Sequence, residues 1–155
     1  MASESALVVR IAVFNGPNLN LLGQREPDIY GTETLAAVER MVREHAAAMS
    51  VEIDWFQTNS EGRFVELIQE AAGRVAGAVV NAAAFTHTSI AIRDALLAVN
   101  IPFVEAHLSN IFAREEMRRR SLLADLAVGV VTGFGVGSYE LALRGLLQHL
   151  RRVES

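Results

Sequence analysis

Apolar runs of strand length alternate along this chain with stretches of helical period. Residues 7–14 are rich in β-branched side chains and stop at Asn15-Gly16-Pro17, a turn signal. Residues 34–49 set Leu35, Val38, Val42 and Ala46 on one helical face. Residues 51–56 read as a second strand. Residues 61–72 read as a second helix, with Phe64, Leu67, Ile68 and Ala71 on one side. Residues 75–81 form a third strand, apolar enough to be covered on both faces. A helix over 89–99, a short strand over 102–106 and a short polar helix over 113–120 follow. A fifth strand over 126–132 leads to a closing helix over 138–152, carrying Leu141, Leu143, Leu146, Leu147 and Leu150.

Five strands alternating with five helices predict an α/β fold, a parallel five-stranded sheet with helices on both faces and right-handed crossovers. The expected strand order is the flavodoxin-like 2-1-3-4-5, which pattern alone does not dictate. In such a sheet the ligand lies beyond the carboxyl ends of the strands, at the switch point between strands 1 and 3. The segments after strands 1, 3 and 4 are therefore where chemistry is expected. The chain reads as one catalytic domain over 1–155, with flexible tails at about 1–6 and 152–155.

Composition narrows the chemistry. The hydrophobic share is 51% with Tyr counted and 11 Gly left out; put on the usual footing, without Tyr and with Gly, it is about 57%, above the ~45–50% of ordinary domains. Apolar surface is thus expected to remain for partner subunits. The net charge of -4 argues against a nucleic-acid partner. With 0 Cys, thiolate catalysis and disulfides are excluded. All 14 basic residues are Arg, so a Schiff-base lysine, a pyridoxal-phosphate enzyme and a Walker-type phosphate loop are excluded too. Residues 1–5 carry no basic segment, and 7–14 is too short for a signal core or a membrane span. The expectation is a soluble, cytoplasmic protein with no membrane partner.

Three segments carry candidate chemistry. After strand 1, residues 15–31 run without a helix, far beyond the ~2–6 residues of an ordinary βα loop. Gly23, Pro27 and Gly31 punctuate this segment, which suits a mobile lid over 23–31 bearing Arg25 and Tyr30. The plainer account is a surface loop with both side chains solvated. After strand 3, the small residues at 82–84 permit close approach to a ligand. Thr86, Thr88 or Ser89 can cap the next helix, and His87 is either a site residue or a core-edge histidine. After strand 4, Glu105 and His107 alternate on one strand face, so the carboxylate can orient or charge the imidazole. Ser109 and Asn110 are expected to open a helix whose free N–H groups hold an anion. Arg114 and Arg118 would share one face of it, while Arg119 and Arg120 read as solvated. His45 and His149 lie in amphipathic helices and read as solvated. No metal-ligand spacing occurs. The glycines over 133–137 are not a dinucleotide fingerprint, because no βαβ unit follows them.

In this order the strings NGPNLNLLGQREPDIYG, QTNSEG, VNAAAFTHTSIAIRDAL, EAHLSNIFAREEMRRRS and GFGVGSYELAL closely resemble type II 3-dehydroquinate dehydratase, over about residues 11–143. The resemblance implies the dehydration of 3-dehydroquinate to 3-dehydroshikimate, in aromatic amino-acid biosynthesis, with no cofactor or metal. It implies Tyr30 as general base with Arg25 beside it, and His107 as general acid paired with Glu105. Asn18 would hold a water against an enolate. Ser109 and the Leu108 N–H would hold the substrate carboxylate, while Asn81, His87 and Arg118 would hold ring hydroxyls. Arg114 would tune the field at the tyrosine, and Asp94 would reach a neighbouring subunit's site in a homododecamer of four trimers. Relatives often carry Gly near Ala83 or Ala84, a second branched residue at Ala106 and Gly at Ser138. The missing lysine agrees with a route that forms no imine.

The reaction needs a base for the proton alpha to the ketone, a proton donor for the leaving hydroxyl, and polar groups for the enolate oxygen. Moving a tyrosine from ~10 to near 7 takes about 4 kcal/mol. One guanidinium about 4 Å away, at an effective dielectric of ~20, supplies that much. Two other classes compete. A carboxylate-binding sensor would need Ser109 and the arginines but not Tyr30 on a lid. A Ser–His–acid hydrolase would use Ser89 or Ser109, but neither sits in a G-x-S-x-G elbow. A flavodoxin would need a Ser/Thr-rich first loop, and this one is rich in Asn and Leu.

Overall fold

The computed structural model describes residues 8–24, 26–30 and 32–154. Five strands form one parallel sheet: β1 (Val9–Asn15), β2 (Val51–Gln57), β3 (Gly77–Asn81), β4 (Phe103–His107) and β5 (Gly129–Thr132). Their order is β2-β1-β3-β4-β5, the flavodoxin-like order expected. The helices are α1 (Pro27–Tyr30), α2 (Leu35–Ala48), α3 (Glu61–Ala71), α4 (Ile90–Val99) and α5 (Gly137–Glu154).

Alternation along the strands feeds two cores, because successive side chains point to opposite faces. Ile11, Val13, Val79, Val104 and Ala106 pack beneath Val38, Val42 and Ala46 of α2 and Ala142, Leu143, Leu146 and Leu147 of α5. Ala12, Phe14, Ala78, Val80 and Phe103 pack beneath Phe64, Leu67 and Ile68 of α3 and Ile92 and Leu96 of α4. Side-chain caps start three helices: Thr34 accepts from Ala37 N, Ser60 from Arg63 N and Ser89 from Ile92 N. No described helix is long and apolar enough to cross a membrane.

The expected helix over 113–120 does not form. Two 3-10 turns, Ile111–Ala113 and Glu116–Arg118, take its place. The stretch is almost wholly polar and has no apolar stripe to bury, and tertiary packing of such a stripe is what sustains a short helix. The segment between β1 and α2 is likewise not bare loop. It holds a 3-10 turn over Leu19–Leu21 and the single helical turn of α1.

Register brings the functional ends level. Asn15 pairs with Asn81, and His107 with Thr132. Gly16 follows β1 where a Cβ would lie 2.2 Å from the Ala82 carbonyl oxygen. Its own N–H donates to Asn81 O at 2.8 Å. Only glycine lets the β1 and β3 loops touch here.

Candidate active site

A cleft of about 110 Å³ opens at the carboxyl ends of β1, β3 and β4, at the switch point. Asn18, Asn81, His87, His107, Ser109 and Arg118 all line it. Leu108 and Arg114 do so as well. Residues nominated from three separate segments thus meet in one place. Arg25 lies outside the described residues. Tyr30 ends α1, and its side chain is likewise outside the description. Asp94 is exposed on α4 and does not line this cleft.

The β1 loop is pinned from the β2 side. Asn18 adopts a left-handed conformation, φ 68°, and its N–H donates to Asn59 Oδ1 at 2.9 Å. Gln57 Nε2 reaches Gly16 O at 3.2 Å and Asn59 Oδ1 at 3.1 Å. The QTNSEG string therefore serves to hold Asn18 at the cleft.

On β4, Glu105 and His107 are 0% and 5% exposed. His107 Nε2 stands 3.3 Å from Glu105 Oε2, without satisfying hydrogen-bond geometry. The alternation seen in the sequence delivers the pair, and burial strengthens their electrostatic contact. His107 Nδ1 is then the nitrogen left for the cleft. Glu105 Oε1 accepts a hydrogen bond from the Ser121 hydroxyl, a partner that sequence pattern did not reveal.

His87 Nδ1 lies 2.7 Å from the Arg120 carbonyl oxygen. A carbonyl only accepts, so Nδ1 carries the proton and Nε2 of the neutral ring is an acceptor. Burial is the largest influence and lowers the His87 pKa. The bond to Arg120 opposes it, while His107 and Arg118 add to the lowering. At neutral pH the ring is uncharged.

The expected anion site at a helix start is corrected. Residues Ile111–Ala113 make a single 3-10 turn. Ile111 N donates to Thr132 Oγ1 at 3.2 Å and Phe112 N to Asn110 Oδ1 at 3.1 Å, so those amides are already bonded. Thr132 also donates to Ser109 O at 2.8 Å, fixing the turn that carries Ser109. Arg118 pairs with Glu115 while lining the cleft. Arg119, expected to be merely solvated, holds the Arg114 carbonyl through Nε at 2.7 Å.

The glycine-rich segment also does more than pack. Gly133 N donates to His107 O at 3.3 Å and Gly135 N to Leu108 O at 2.9 Å. The loop after β5 thereby buttresses the end of β4. Ser138 accepts from Phe134 N at 3.2 Å and closes that loop. Ser89 is fully buried and spent as the α4 cap, which removes it as a hydrolase nucleophile. Among the described residues no three His, Cys, Asp or Glu side chains cluster to hold a metal.

A family described as Dehydroquinase class II matches residues 9–147. The chain belongs to the class II dehydroquinases. A relative from Parasynechococcus marenigrum (strain WH8102), named 3-dehydroquinate dehydratase, is 59% identical over 93% of this chain and 99% of its own. A type II dehydroquinase structure from Butyrivibrio crossotus DSM 2876 superposes with a TM-score of 0.88 at 40% identity. It covers 90% of this chain and 97% of its own. One from Propionibacterium acnes gives 0.87 at 41% identity, covering 93% and 99%. Ala83 sits at φ 51°, a left-handed conformation that costs an alanine more than a glycine.

Proposed function

We propose that this chain is a 3-dehydroquinate dehydratase, a hydro-lyase, acting through an enolate and without an imine. The observation that carries the reading is the buried Glu105–His107 pair, opening on the same cleft as Asn18, Asn81, His87, Ser109, Arg114 and Arg118. Membership of the class II dehydroquinases supplies the substrate.

In this reading the substrate carboxylate lies on Ser109 and the Leu108 N–H. Asn81, His87 and Arg118 take the ring hydroxyls. The neutral His87 ring, protonated at Nδ1, offers Nε2 as an acceptor to one of them. Tyr30 removes the proton alpha to the ketone, and the electron pair moves onto the carbonyl oxygen. A water held by Asn18 stabilises that oxygen. Collapse of the enolate expels the β-hydroxyl, which takes a proton from His107 and leaves as water. Glu105 compensates the charge of the protonated imidazole. Arg25 and Arg114 favour the tyrosinate. No lysine exists to form an imine with the ketone.

We further propose one catalytic domain in a homododecamer of four trimers, located in the cytoplasm. Asp94, exposed on α4 and away from its own cleft, is free to complete a neighbour's site. A fully active monomer in sedimentation would contradict this assembly. The activity itself is tested by adding 3-dehydroquinate and following the ultraviolet absorbance of the conjugated product. Turnover should survive EDTA, and borohydride added with substrate should trap no adduct. Absence of turnover, or a reduced covalent adduct, would overturn the reading.

A further inference from the structure

We infer that Ser121 is a positioning residue for the acid–base pair, fixing the Glu105 carboxylate so that one oxygen faces His107. The inference rests on the function proposed for Glu105 and His107. A serine hydroxyl has one proton and two acceptor lone pairs. Ser121 Oγ accepts from Leu123 N at 3.0 Å and from Ala124 N at 3.0 Å. Both lone pairs are taken, and the proton has one place to go. It is given to Glu105 Oε1. The hydroxyl cannot turn round and accept, so it meets Glu105 as a donor and holds one carboxylate oxygen in place. With Oε1 held, Oε2 is the oxygen presented to His107 Nε2, 3.3 Å away.

The platform under Ser121 is rigid. Leu123 is fully buried in the core on the α3 and α4 side. Leu122 N donates to Thr86 O at 2.9 Å. Arg93 holds Leu122 O at 2.8 Å and grips Asp125 with both terminal nitrogens. A carboxylate buried in the middle of β4 is thus oriented by a loop anchored in the helical layer beside it, as a positioned catalytic group requires. His87 interacts electrostatically with both Glu105 and His107, while the hydrogen bond to Glu105 Oε1 comes from Ser121.

The test is steady-state kinetics on Ser121→Ala, Glu105→Gln and the double variant. Ser121→Ala should lower kcat about tenfold, the scale of a lost hydrogen bond to a charged group, and leave KM within about twofold. In the Glu105→Gln background the same change should lower kcat by less than about twofold, because both act through one carboxylate. A kcat for Ser121→Ala within twofold of the unmodified enzyme overturns the inference. So do losses that multiply in the double variant, since Ser121 then acts independently of Glu105. Should Ser121→Ala not fold, Ser121→Cys keeps the volume with a much weaker donor, and the same two comparisons decide. If Glu105→Gln alone turns over normally, the fault lies with the role proposed for Glu105. If Glu105→Gln is slow and Ser121→Ala is not, only this inference fails.

Discussion

The Tyr139 hydroxyl donates to Asn15 Oδ1 across 2.6 Å, tying the closing helix to the end of the first strand. The direction of that bond follows from its neighbours. Asn15 Nδ2 donates to Phe56 O at 2.9 Å, which leaves Oδ1 to accept. Having donated, the Tyr139 oxygen accepts from Asn81 Nδ2 at 2.9 Å. Asn81 Oδ1 is thereby turned to accept from Ala83 N at 3.3 Å. One backbone carbonyl on β2 thus sets the orientation of an amide at the cleft.

Tyr139→Phe is therefore not a silent substitution. It strands Asn15 Oδ1 and Asn81 Nδ2 in a 1% exposed site. Stability should fall by about 1–3 kcal/mol in urea melts. Burial holds the Tyr139 pKa far above the ordinary phenol value, so this hydroxyl stays neutral and cannot be the base. An unchanged melting midpoint would contradict the relay.

Tyr30→Phe should leave folding intact and cut turnover by ~10²–10⁴-fold with KM little changed, as expected for loss of a general base. Arg25→Gln should also slow turnover and move the onset of activity to higher pH, since it removes a charge that favours tyrosinate. Substantial turnover by Tyr30→Phe would shift the base to His107 or His87.

Much of the fold and most residues that line the cleft were legible for a shared reason. Periods of 2 and 3.6 are local, so strands, helices and their carboxyl ends can be read from short windows. Glu105 and His107 are two residues apart on one strand, and alternation places them together. What escaped is what chain return creates. Ser121 reaches Glu105 by a loop folding back over sixteen residues, and Tyr139 reaches Asn15 across 124. No local period encodes either contact. The 111–118 region failed differently: its charges suggest helix, but without a buried face the backbone settles into two 3-10 turns.

His87 should titrate below the ordinary histidine value of 6.5, because burial opposes its charge. The unfolded chain takes up that proton at about 6.5 while the folded chain resists it. The contribution to stability is therefore complete above this value. It declines as pH drops through the window beneath, then levels below the folded pKa. NMR titration of the His87 ring checks this, and a midpoint at or above 6.5 would refute it.

Gly16→Ala should destabilise by about 3 kcal/mol or more, since its Cβ would overlap the Ala82 carbonyl and force the β1 and β3 loops apart. Ala83→Gly, in the facing β3 loop beside Ala82, should do the opposite. Relief of a left-handed alanine outweighs the added backbone freedom, for a gain of up to about 1 kcal/mol. Thermal melts of the two variants moving in the same direction would contradict this account of the junction.

Every side chain lining the cleft comes from the carboxyl edge of the sheet or the loops beyond it. At the opposite edge, the turns before β2, β3 and β4 each hold a left-handed residue: Ser50, Gly73 and Asn100. The cleft and these turns thus lie at opposite poles of the molecule, and one pole is open to engineering. A reporter peptide spliced in at Gly73, where an added Cβ would meet nothing within 4 Å, would hang from the far side of the sheet and leave the residues lining the cleft undisturbed.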